Sequence, residues 1–366
     1  MALAIYRKYR PRSFAEIIGQ EELVGVLKNA GRLGKIAHAY LFYGPRGTGK
    51  TTIARLIAKV ANCLDQAAVG KNGEPCNQCQ ICREIDQGRA LDVVEIDAAS
   101  NRGIDDIRNL KENIYLSPAV ARSKIFIIDE AHMLTKEAFN ALLKVLEEPP
   151  DHVIFVLATT EYEKVPATIV SRSQRFHFRR LSVKEILGKL EVIANHERLK
   201  VTAGGLELIA AAAEGSLRDA ESLLDQVINL ADGVDLKAVE STIGRVGFKR
   251  VLVLVDQLRA SDLQSVLEYL HKLNDDGANL TDLNKELITY LRRVLVFKLN
   301  RRMESFFEKE LTGEELTKLK EHAAALSAEK LINLIKSLIK AYGEMRYSPF
   351  PHVPLEVAII ENLKDN

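Results

Sequence analysis

The chain has 366 residues, and 51 Lys and Arg against 50 Asp and Glu give a formal net charge of +1. This length suggests about two or three domains, and the balanced charge excludes a general attraction to nucleic acid or membranes, so that any DNA contact depends on local patches. No apolar run is long enough to span a bilayer, and Met1 to Ile5 lead directly into basic residues rather than a signal peptide. We therefore expect a cytoplasmic protein without a membrane partner. Helix formers dominate, which favours a mostly helical protein built around one sheet.

The N-terminal segment is basic and contains aromatic residues. Residues 6–12 read Tyr-Arg-Lys-Tyr-Arg-Pro-Arg, a composition that could contact phosphates or stack on a base. A solvated arm is an equally good interpretation. Apolar residues Leu23, Val26 and Leu27 then predict a helix, and an apolar strand is expected over residues 39–43.

A phosphate loop follows this strand. Residues 44–51 match the pattern G-x-x-x-x-G-K-[ST], and the next residues have helical periodicity. Its glycines allow the positive φ angles that turn backbone N–H groups toward one anion, which the positive end of the helix also favours. Lys50 would reach the β and γ phosphates and the Thr51 hydroxyl would hold Mg²⁺; the alternative is a plain tight turn before a helix. The candidate nucleotide-binding residues are Gly44, Pro45, Arg46, Gly47, Thr48, Gly49, Lys50, Thr51 and Thr52.

All four cysteines of the chain, Cys63, Cys76, Cys79 and Cys82, lie in a segment of residues 62–88. Cys-x-x-Cys-x-x-Cys with a fourth cysteine upstream is the composition of a tetrahedral thiolate site, for which Zn²⁺ is the leading metal. Disulfides are disfavoured in a reducing cytosol, and an iron–sulfur cluster would bring redox chemistry that nothing else in the sequence supports. Because four thiolates leave no position for water, we predict a structural zinc site in a surface insertion.

Two further strands are expected after the cysteine segment, and the second of them ends in two acidic residues. The first covers residues 92–96 and is followed by a loop and a helix through Ile104, Ile107 and Leu110. The second is a buried run from residue 124 that ends in Asp129 and Glu130, at the strand end where ligands bind in open α/β sheets. Asp129 would hold Mg²⁺ and Glu130 would deprotonate the attacking water. The alternative is an incidental acidic strand end.

The rest of the nucleotide domain carries two more candidate elements. A strand over residues 153–160 ends in Thr159 and Thr160, and either hydroxyl could bind the γ-phosphate or the attacking water. Threonines that favour strands and cap a loop explain the pair equally well. A basic turn at residues 171–173 precedes the last predicted strand, and the domain should close near residue 179.

From residue 180 the sequence predicts helices only. Ser182 and Glu185 form a capping box for the first of three helices in a lid over residues 180–243. Residues 244–366 carry apolar stripes at helical spacing, typical of a packing or assembly domain. Residues 347–354 interrupt that pattern before one last apolar helix.

Several motifs in this order resemble the AAA+ ATPases and, within them, the clamp loaders. These are the phosphate loop, Asp-Glu-Ala-His at 129–132, Ala-Thr-Thr at 158–160, Ser-Arg-Ser at 171–173 and Gly-Ser-Leu-Arg-Asp-Ala at 215–220. The four-cysteine insertion and the N-terminal Tyr-Arg-Lys-Tyr-Arg-Pro make the chain similar to the gamma/tau family of bacterial DNA polymerase III. This resemblance implies an α/β AAA+ P-loop domain with a parallel sheet over residues 1–179, followed by the all-α lid and an all-α C-terminal oligomerisation (collar) domain. The resemblance is carried by specific motifs up to about residue 243, and beyond that residue it lies mostly in the helical architecture.

The resemblance also implies roles for individual residues. Thr160 matches the sensor at the strand end, Arg218 matches the second sensor on the lid, and Arg172 matches the arginine finger that acts on a neighbouring subunit. Ser173 replaces the cysteine of the family's Ser-Arg-Cys motif but leaves the charge of the arginine in place, and the alternative is a surface arginine paired with a local acid. The residues implied to flank the nucleotide base are Tyr6, Arg7, Tyr9, Arg10 and Pro11.

The expected function is that of an ATPase motor subunit of the DNA polymerase III holoenzyme. Its implied partners are copies of itself and the delta and delta prime subunits in a ring-like hetero-oligomer, the sliding clamp and primed-template DNA, with ATP, Mg²⁺ and Zn²⁺ as cofactors. Longer tau forms carry further C-terminal domains, so this chain is the gamma-like part or a truncation. A DEAH-type helicase would need a second motor domain, which the helical remainder does not supply. A subunit that binds nucleotide without hydrolysis would not need Asp129 and Glu130.

Overall fold

The computed structural model describes residues 4–100, 113–230, 233–243, 246–308, 311, 313–345, 347–348 and 350–364. The predicted helix through Ile104, Ile107 and Leu110 lies outside the described residues. The chain divides into two compact units, one made of Met1–Lys189 with Ala213–Ser222 and the other of Leu190–Ala212 with Leu223–Asn366.

A parallel sheet forms the centre of the first unit. Its described strands run in the order β2-β3-β4-β1-β5. Each residue of β4 is buried, which is the expected result for an apolar strand covered on both faces. The register pairs Tyr43 with Thr159, and Asp97 with Asp129, so the carboxyl ends of four strands meet at one edge. The strands are β1 (Ala39–Tyr43), β2 (Val93–Asp97), β3 (Lys124–Asp129), β4 (Val153–Thr159) and β5 (Gln174–His177).

Two helices of the first unit, Glu21–Arg32 and Lys50–Asn62, lie where the sequence predicted them. Thr135 caps the helix after β3 by accepting a hydrogen bond from the Ala138 N–H at 3.2 Å, and that helix ends at Glu147, before the two prolines. The helices are α1 (Ile5–Lys8), α2 (Glu21–Arg32), α3 (Lys50–Asn62), α4 (Gln66–Asn72), α5 (Gln80–Gln87), α6 (Lys136–Glu147) and α7 (Ala167–Val170).

The sheet buries a different apolar layer on each face, because successive strand residues point in opposite directions. Phe42 and Ile127 pack in one layer with Ile53 of α3. Phe126 packs in the other layer with Leu142 of α6. These two layers hold the end of β1 and the end of β3 in fixed positions, and both ends carry the residues predicted to bind nucleotide.

Residues 180–243 contain four helices rather than the predicted three. The predicted capping box is present, since Glu185 accepts from the Ser182 N–H at 2.7 Å and Ser182 Oγ accepts from the Glu185 N–H at 3.3 Å. The additional helix begins after Asp235, whose carboxylate accepts from the Ala238 N–H at 2.8 Å. The helices are α8 (Val183–Glu197), α9 (Ala203–Ala212), α10 (Leu217–Leu230) and α11 (Leu236–Ile243). The predicted boundaries after residues 179 and 243 stay predictions.

In the C-terminal segment, from residue 246 onward, the described secondary-structure elements are helices. The predicted stripe on its longest helix is buried at Leu280, Leu283, Leu287 and Leu291, and its last member, Leu295, is half-buried. The last helix begins at His352, inside the segment predicted to interrupt the pattern, because Pro354 is tolerated in a first helical turn. None of the described helices is both long and apolar enough to cross a membrane. The helices are α12 (Val246–Ala260), α13 (Leu263–Asp275), α14 (Leu280–Leu299), α15 (Glu304–Phe307), α16 (Gly313–Ala325), α17 (Ala328–Met345) and α18 (His352–Lys364).

Candidate functional site

The phosphate loop joins the end of β1 to the start of α3. Gly44, Gly47 and Gly49 have the predicted positive φ angles, 142°, 73° and 102°. A Cβ atom at Gly44 would lie 2.2 Å from the carbonyl oxygen of Phe178, and one at Gly47 would lie 1.9 Å from Ser216 Oγ. Glycine is therefore required at these two positions for backbone conformation and also for close packing against other parts of the first unit.

Lys50 is almost completely buried beneath this loop. Its Nζ donates to the carbonyl oxygens of Gly44 and Pro45, both at 2.8 Å. Burial lowers the pKa of Lys50, while the carboxylates of Glu130 and Asp129 oppose that shift. The ammonium group is thus held inside the loop, where a phosphate oxygen could replace the carbonyl contacts.

The two residues predicted to hold magnesium are in contact. Thr51 at the start of α3 donates its hydroxyl to Asp129 Oδ2 at the end of β3, at 2.7 Å. Hydroxyl and carboxylate oxygens are the hard ligands that Mg²⁺ uses together with water and substrate phosphates. The pair therefore fits a magnesium ion bound jointly with a phosphate.

Glu130 lies next to this pair in a strained conformation. Its φ of 47° is in the left-handed region, which is uncommon outside glycine and concentrated at functional sites. Its Oε2 accepts from the Thr160 hydroxyl at 2.9 Å and is 3.4 Å from His132 Nδ1. Thr159 is instead buried, with its hydroxyl 3.0 Å from His132 Nδ1. Of the two threonines, Thr160 is the one that contacts the candidate base.

A cavity of about 140 Å³ opens beside the phosphate loop. Residues 46–52 line it together with Asp129 and Glu130, and they form the polar part next to the phosphate loop. Predicted residues Tyr6, Arg10 and Pro11 line it too, whereas Arg7 and Tyr9 are not among its lining residues. The apolar part of the lining consists of Ile17, Ile18, Leu181 and Leu217. The sequence did not reveal these residues as part of a site, because only the fold distinguishes them from core residues.

The predicted second sensor also faces the cavity. Arg218 lies in the first turn of α10, and its guanidinium carbon is 5.3 Å from the centre of the Tyr6 ring. Arg7 is connected to the cavity only indirectly, since its Nε donates to the Tyr6 hydroxyl at 3.1 Å. The N-terminal segment and α10 thus contribute to the same wall.

Glu221 is a second residue of α10 that lines the cavity, and sequence analysis did not identify it. Its side chain is buried, and burial raises the pKa of its carboxyl to about 7 against the opposing charges of Lys189 and Arg10. The available signal was its spacing, because residues three apart share one face of a helix and Arg218 is three residues earlier.

Arg172 lies away from the cavity of its own chain. In the turn before β5 its Nη2 is 2.7 Å from Glu147 Oε1, and its Nη1 donates to the Thr168 carbonyl at 3.0 Å. The side chain is about one-third exposed. Such a position fits both alternatives, a surface ion pair and a residue presented to a neighbouring subunit.

The four cysteines form one cluster, in which all Sγ atoms lie within 4.8 Å of one another. None is in a disulfide, and Cys63 and Cys82 are buried. Four sulfurs bound at about 2.3 Å to one Zn²⁺ would be about 3.8 Å apart, so the cluster fits a tetrahedral ion with small adjustments.

Backbone N–H groups point at the cysteine sulfurs. The N–H of Cys76 donates to Cys63 Sγ at 3.4 Å, and that of Cys79 donates to Cys76 Sγ at 3.3 Å. Burial raises the pKa of the Cys63 and Cys82 thiols. At Cys76 burial acts in the same direction, but the N–H groups of Gln78 and Cys79 outweigh it and lower the pKa to about 7. The buried thiols would need a cation to become thiolates together.

Family models match three consecutive segments of the chain. Residues 19–182 match the model described as DNA polymerase III, delta subunit. Residues 185–233 match the DNA polymerase III clamp loader subunit, ATPase lid domain, and residues 234–364 match DNA polymerase III subunits gamma and tau domain III. With the parallel sheet, these matches confirm the predicted fold class.

Individual proteins give the same family. The DNA polymerase III subunit tau of Bacillus subtilis strain 168 is 42% identical over 361 residues, which are 98% of this chain and 62% of that protein. The subunit gamma of Buchnera aphidicola subsp. Acyrthosiphon pisum is 36% identical over 97% of this chain and 96% of its own length. Among solved structures, the Thermotoga maritima RuvB Holliday junction branch migration motor aligns over 68% of this chain and 79% of its own, with a TM-score of 0.48 and 21% identity. The chain spans about three-fifths of the length of the tau relative, and it belongs to the gamma/tau family of DNA polymerase III subunits.

Proposed function

We propose that this protein is the ATPase motor subunit of a bacterial replicative clamp loader, working in the cytoplasm. In this role it uses ATP binding and hydrolysis to open a sliding clamp and load it onto primed-template DNA. The observation that carries the proposal is the contact of Thr51 with Asp129, at 2.7 Å, beside a cavity that Lys50, Glu130 and Arg218 also line. Membership of the gamma/tau family supports the replicative context.

ATP binding would use both parts of the cavity. Loop N–H groups and Lys50 hold the phosphates, and the start of α3 adds its positive end. Thr51 and Asp129 hold Mg²⁺, which neutralises charge on the phosphates. The apolar part, including Ile18 and Leu217, receives the base. The N-terminal segment then closes over the nucleoside through Tyr6 and its neighbours.

Hydrolysis would depend on Glu130 as the general base. Its carboxylate orients the attacking water and accepts its proton, while the Thr160 hydroxyl fixes one carboxylate oxygen at 2.9 Å. Arg218 adds positive charge near the γ-phosphate, where negative charge must be stabilised as the bond breaks.

Assembly would complete the site. Arg172 leaves Glu147 and inserts against the ATP of a neighbouring subunit, so hydrolysis occurs only in a ring-like complex. The proposed partners are copies of this chain, the delta and delta prime subunits, the clamp and primed DNA. Such coupling suits a motor that must act only when clamp and DNA are in place.

The cysteine cluster would hold a structural Zn²⁺ through Cys63, Cys76, Cys79 and Cys82. The convergence of the sulfurs within 4.8 Å supports this assignment. With four protein ligands and no open position, the ion would stabilise residues 62–88 and take no part in hydrolysis.

A steady-state ATPase assay tests the proposed function. Protein with Mg²⁺ and ATP is measured alone, then with delta and delta prime subunits, and then with clamp and primed DNA, each time beside Lys50→Ala. We expect turnover to rise with assembly and again with clamp and DNA. Turnover no faster than that of Lys50→Ala in the full mixture would contradict the motor role, and duplex unwinding without a clamp would favour a helicase.

A further inference from the structure

A buried carboxyl group with an unsatisfied oxygen lines the candidate nucleotide cavity. Glu221 is only 5% exposed and lines this cavity from α10. Its Oε1 is buried and has no hydrogen-bond partner within the part of the chain that the structure describes. Burying a polar oxygen in this way is unfavourable, because it loses water and gains no donor. The missing donor is therefore expected to come from a ligand.

The surroundings of Glu221 indicate which part of a ligand it would meet. The phosphate part of the cavity already has its own donors, at the loop and at Lys50. The rest of the lining is mostly apolar, with Pro11, Ile17 and Ile18 among its side chains, and it suits the flat faces of a purine ring. Arg10 and Lys189 act on the carboxyl through their charge. Because Glu221 lines the cavity together with these apolar side chains, its carboxylate favours a base that carries an N–H donor on its edge.

We propose that Glu221 accepts a hydrogen bond from the 6-amino group of adenine and thereby makes this site prefer ATP to purine triphosphates that lack this group. The inference rests on the proposed ATP site and adds a specificity-determining residue to it. A nucleotide without the amino group leaves Glu221 as it is in the free protein, so only a nucleotide that carries this group gains the hydrogen bond and the corresponding affinity.

The test measures equilibrium binding of three nucleotides, with Mg²⁺, to the full chain. ATP is compared with purine riboside triphosphate, which lacks the 6-amino group, and with 2′-deoxy-ATP, which keeps it. For the wild-type protein we expect purine riboside triphosphate to bind about 10-fold more weakly than ATP, the usual scale for one hydrogen bond to a buried acceptor, and 2′-deoxy-ATP to bind almost as well as ATP. Glu221→Gln keeps an acceptor oxygen and should retain the preference. Glu221→Leu removes the acceptor and should bind both purines equally.

Two controls separate this result from a folding defect. Glu221→Leu replaces an unpaired buried carboxyl with an apolar side chain, so its melting temperature without nucleotide should be unchanged or higher; Glu221→Met serves if Leu does not fold. Asp219→Asn removes a charge from the same helix outside the cavity lining and should leave the preference unchanged.

Three outcomes would overturn the inference. One is an unchanged ATP preference in Glu221→Leu and Glu221→Met. Another is discrimination against 2′-deoxy-ATP that disappears in these variants, which would make the ribose hydroxyl the donor. A wild-type protein that binds none of the three nucleotides would instead refute the proposed ATP site itself.

Discussion

The phosphate site and the cysteine cluster lie in the same unit but satisfy their polar groups in different ways. At the phosphate site the reactive side chains contact one another or the loop, as Thr51 does with Asp129 and Lys50 with the Gly44 carbonyl. Glu221 contributes a carboxyl oxygen that accepts no hydrogen bond from the described residues. In the cysteine cluster four side chains converge on one point and backbone N–H groups point at their sulfurs.

This difference separates a site that exchanges its ligand from one that keeps it. The contacts of Lys50 and Thr51 are each replaceable by a phosphate oxygen or a metal ion, so the empty site can stay folded between turnovers. Buried thiols have no such internal substitute, because they cannot all ionise without a cation. Ligand loss should therefore affect activity at the first site and folding at the second.

Removing a zinc ligand should give the largest effect. In Cys82→Ser we expect loss of the metal and unfolding of residues 62–88, because structural zinc supplies an apparent binding free energy of about 10–16 kcal/mol. Elemental analysis measures the metal, and hydrogen exchange measures protection of the insertion. ATP binding should survive, since the phosphate loop draws no ligand from the cluster.

Gln87→Ser is the matched control, an exposed change at the end of α5 that should keep both zinc and protection. Wild-type protein that contains no zinc, or that shows iron absorbance when freshly purified, would rule out the metal assignment. If Cys82→Ser lost ATP binding while Gln87→Ser kept it, the two sites would not be independent as we expect.

Arg172→Ala should have the next largest effect, on hydrolysis in the assembled complex. An arginine supplied by a neighbour changes phosphoryl-transfer rates by about 10³ to 10⁵. Subunits carrying Arg172→Ala cannot donate the guanidinium, and subunits carrying Lys50→Ala cannot bind ATP. Each alone should be nearly inactive, whereas mixed assemblies should regain ATPase activity where an intact Arg172 faces an intact loop.

The ion pair with Glu147 provides the control. An exposed pair of this kind is worth only about 0–1 kcal/mol, so Glu147→Ala should leave folding and assembled ATPase activity nearly unchanged. No recovery in assemblies demonstrated to be mixed, or full activity of Arg172→Ala alone, would make Arg172 a surface residue.

Lys50→Ala and Glu130→Gln should fail differently within the phosphate site. Loss of the Lys50 ammonium removes a charge contact to the phosphates and should weaken ATP binding. Loss of the Glu130 base should leave binding intact and slow single-turnover hydrolysis by about a hundredfold or more. Equal loss of ATP affinity in both variants would contradict this division of roles.

The sequence could predict those parts of the two sites that depend on short local patterns. The phosphate loop, Asp129 with Glu130, and the cysteine spacing each lie in a short segment whose chemistry needs those residues at those intervals. The sequence could not predict that Arg10 lines the cavity while Arg7 does not, because the path of the chain after the short helix α1 decides which side chain faces inward. The fourth helix after Asp235 was missed because its eight residues are too short for a clear periodic signal.

Glu221 was missed for a related reason. On a helical wheel its position is compatible with solvent, and a lone Glu in a helix is usually exposed. Only the packing of α10 beside the N-terminal segment makes it a buried carboxyl. The cost of that burial should be measurable without any nucleotide, as a pH dependence of stability.

The smallest expected effect is this pH dependence, and its sign follows from the raised pKa. Below the unfolded-state pKa of about 4.5 Glu221 is neutral in both states. Between that value and the folded-state pKa of about 7 the unfolded chain loses the proton first, so stability falls as pH rises. Glu221→Gln does not titrate, and all other titratable groups are common to the two proteins. In denaturant unfolding, the wild-type protein should therefore lose about 1.2 kcal/mol relative to Glu221→Gln as the pH rises from 5.5 to 6.5. A constant difference between the two proteins across that range would mean that Glu221 is ionised in the folded state and well solvated or paired.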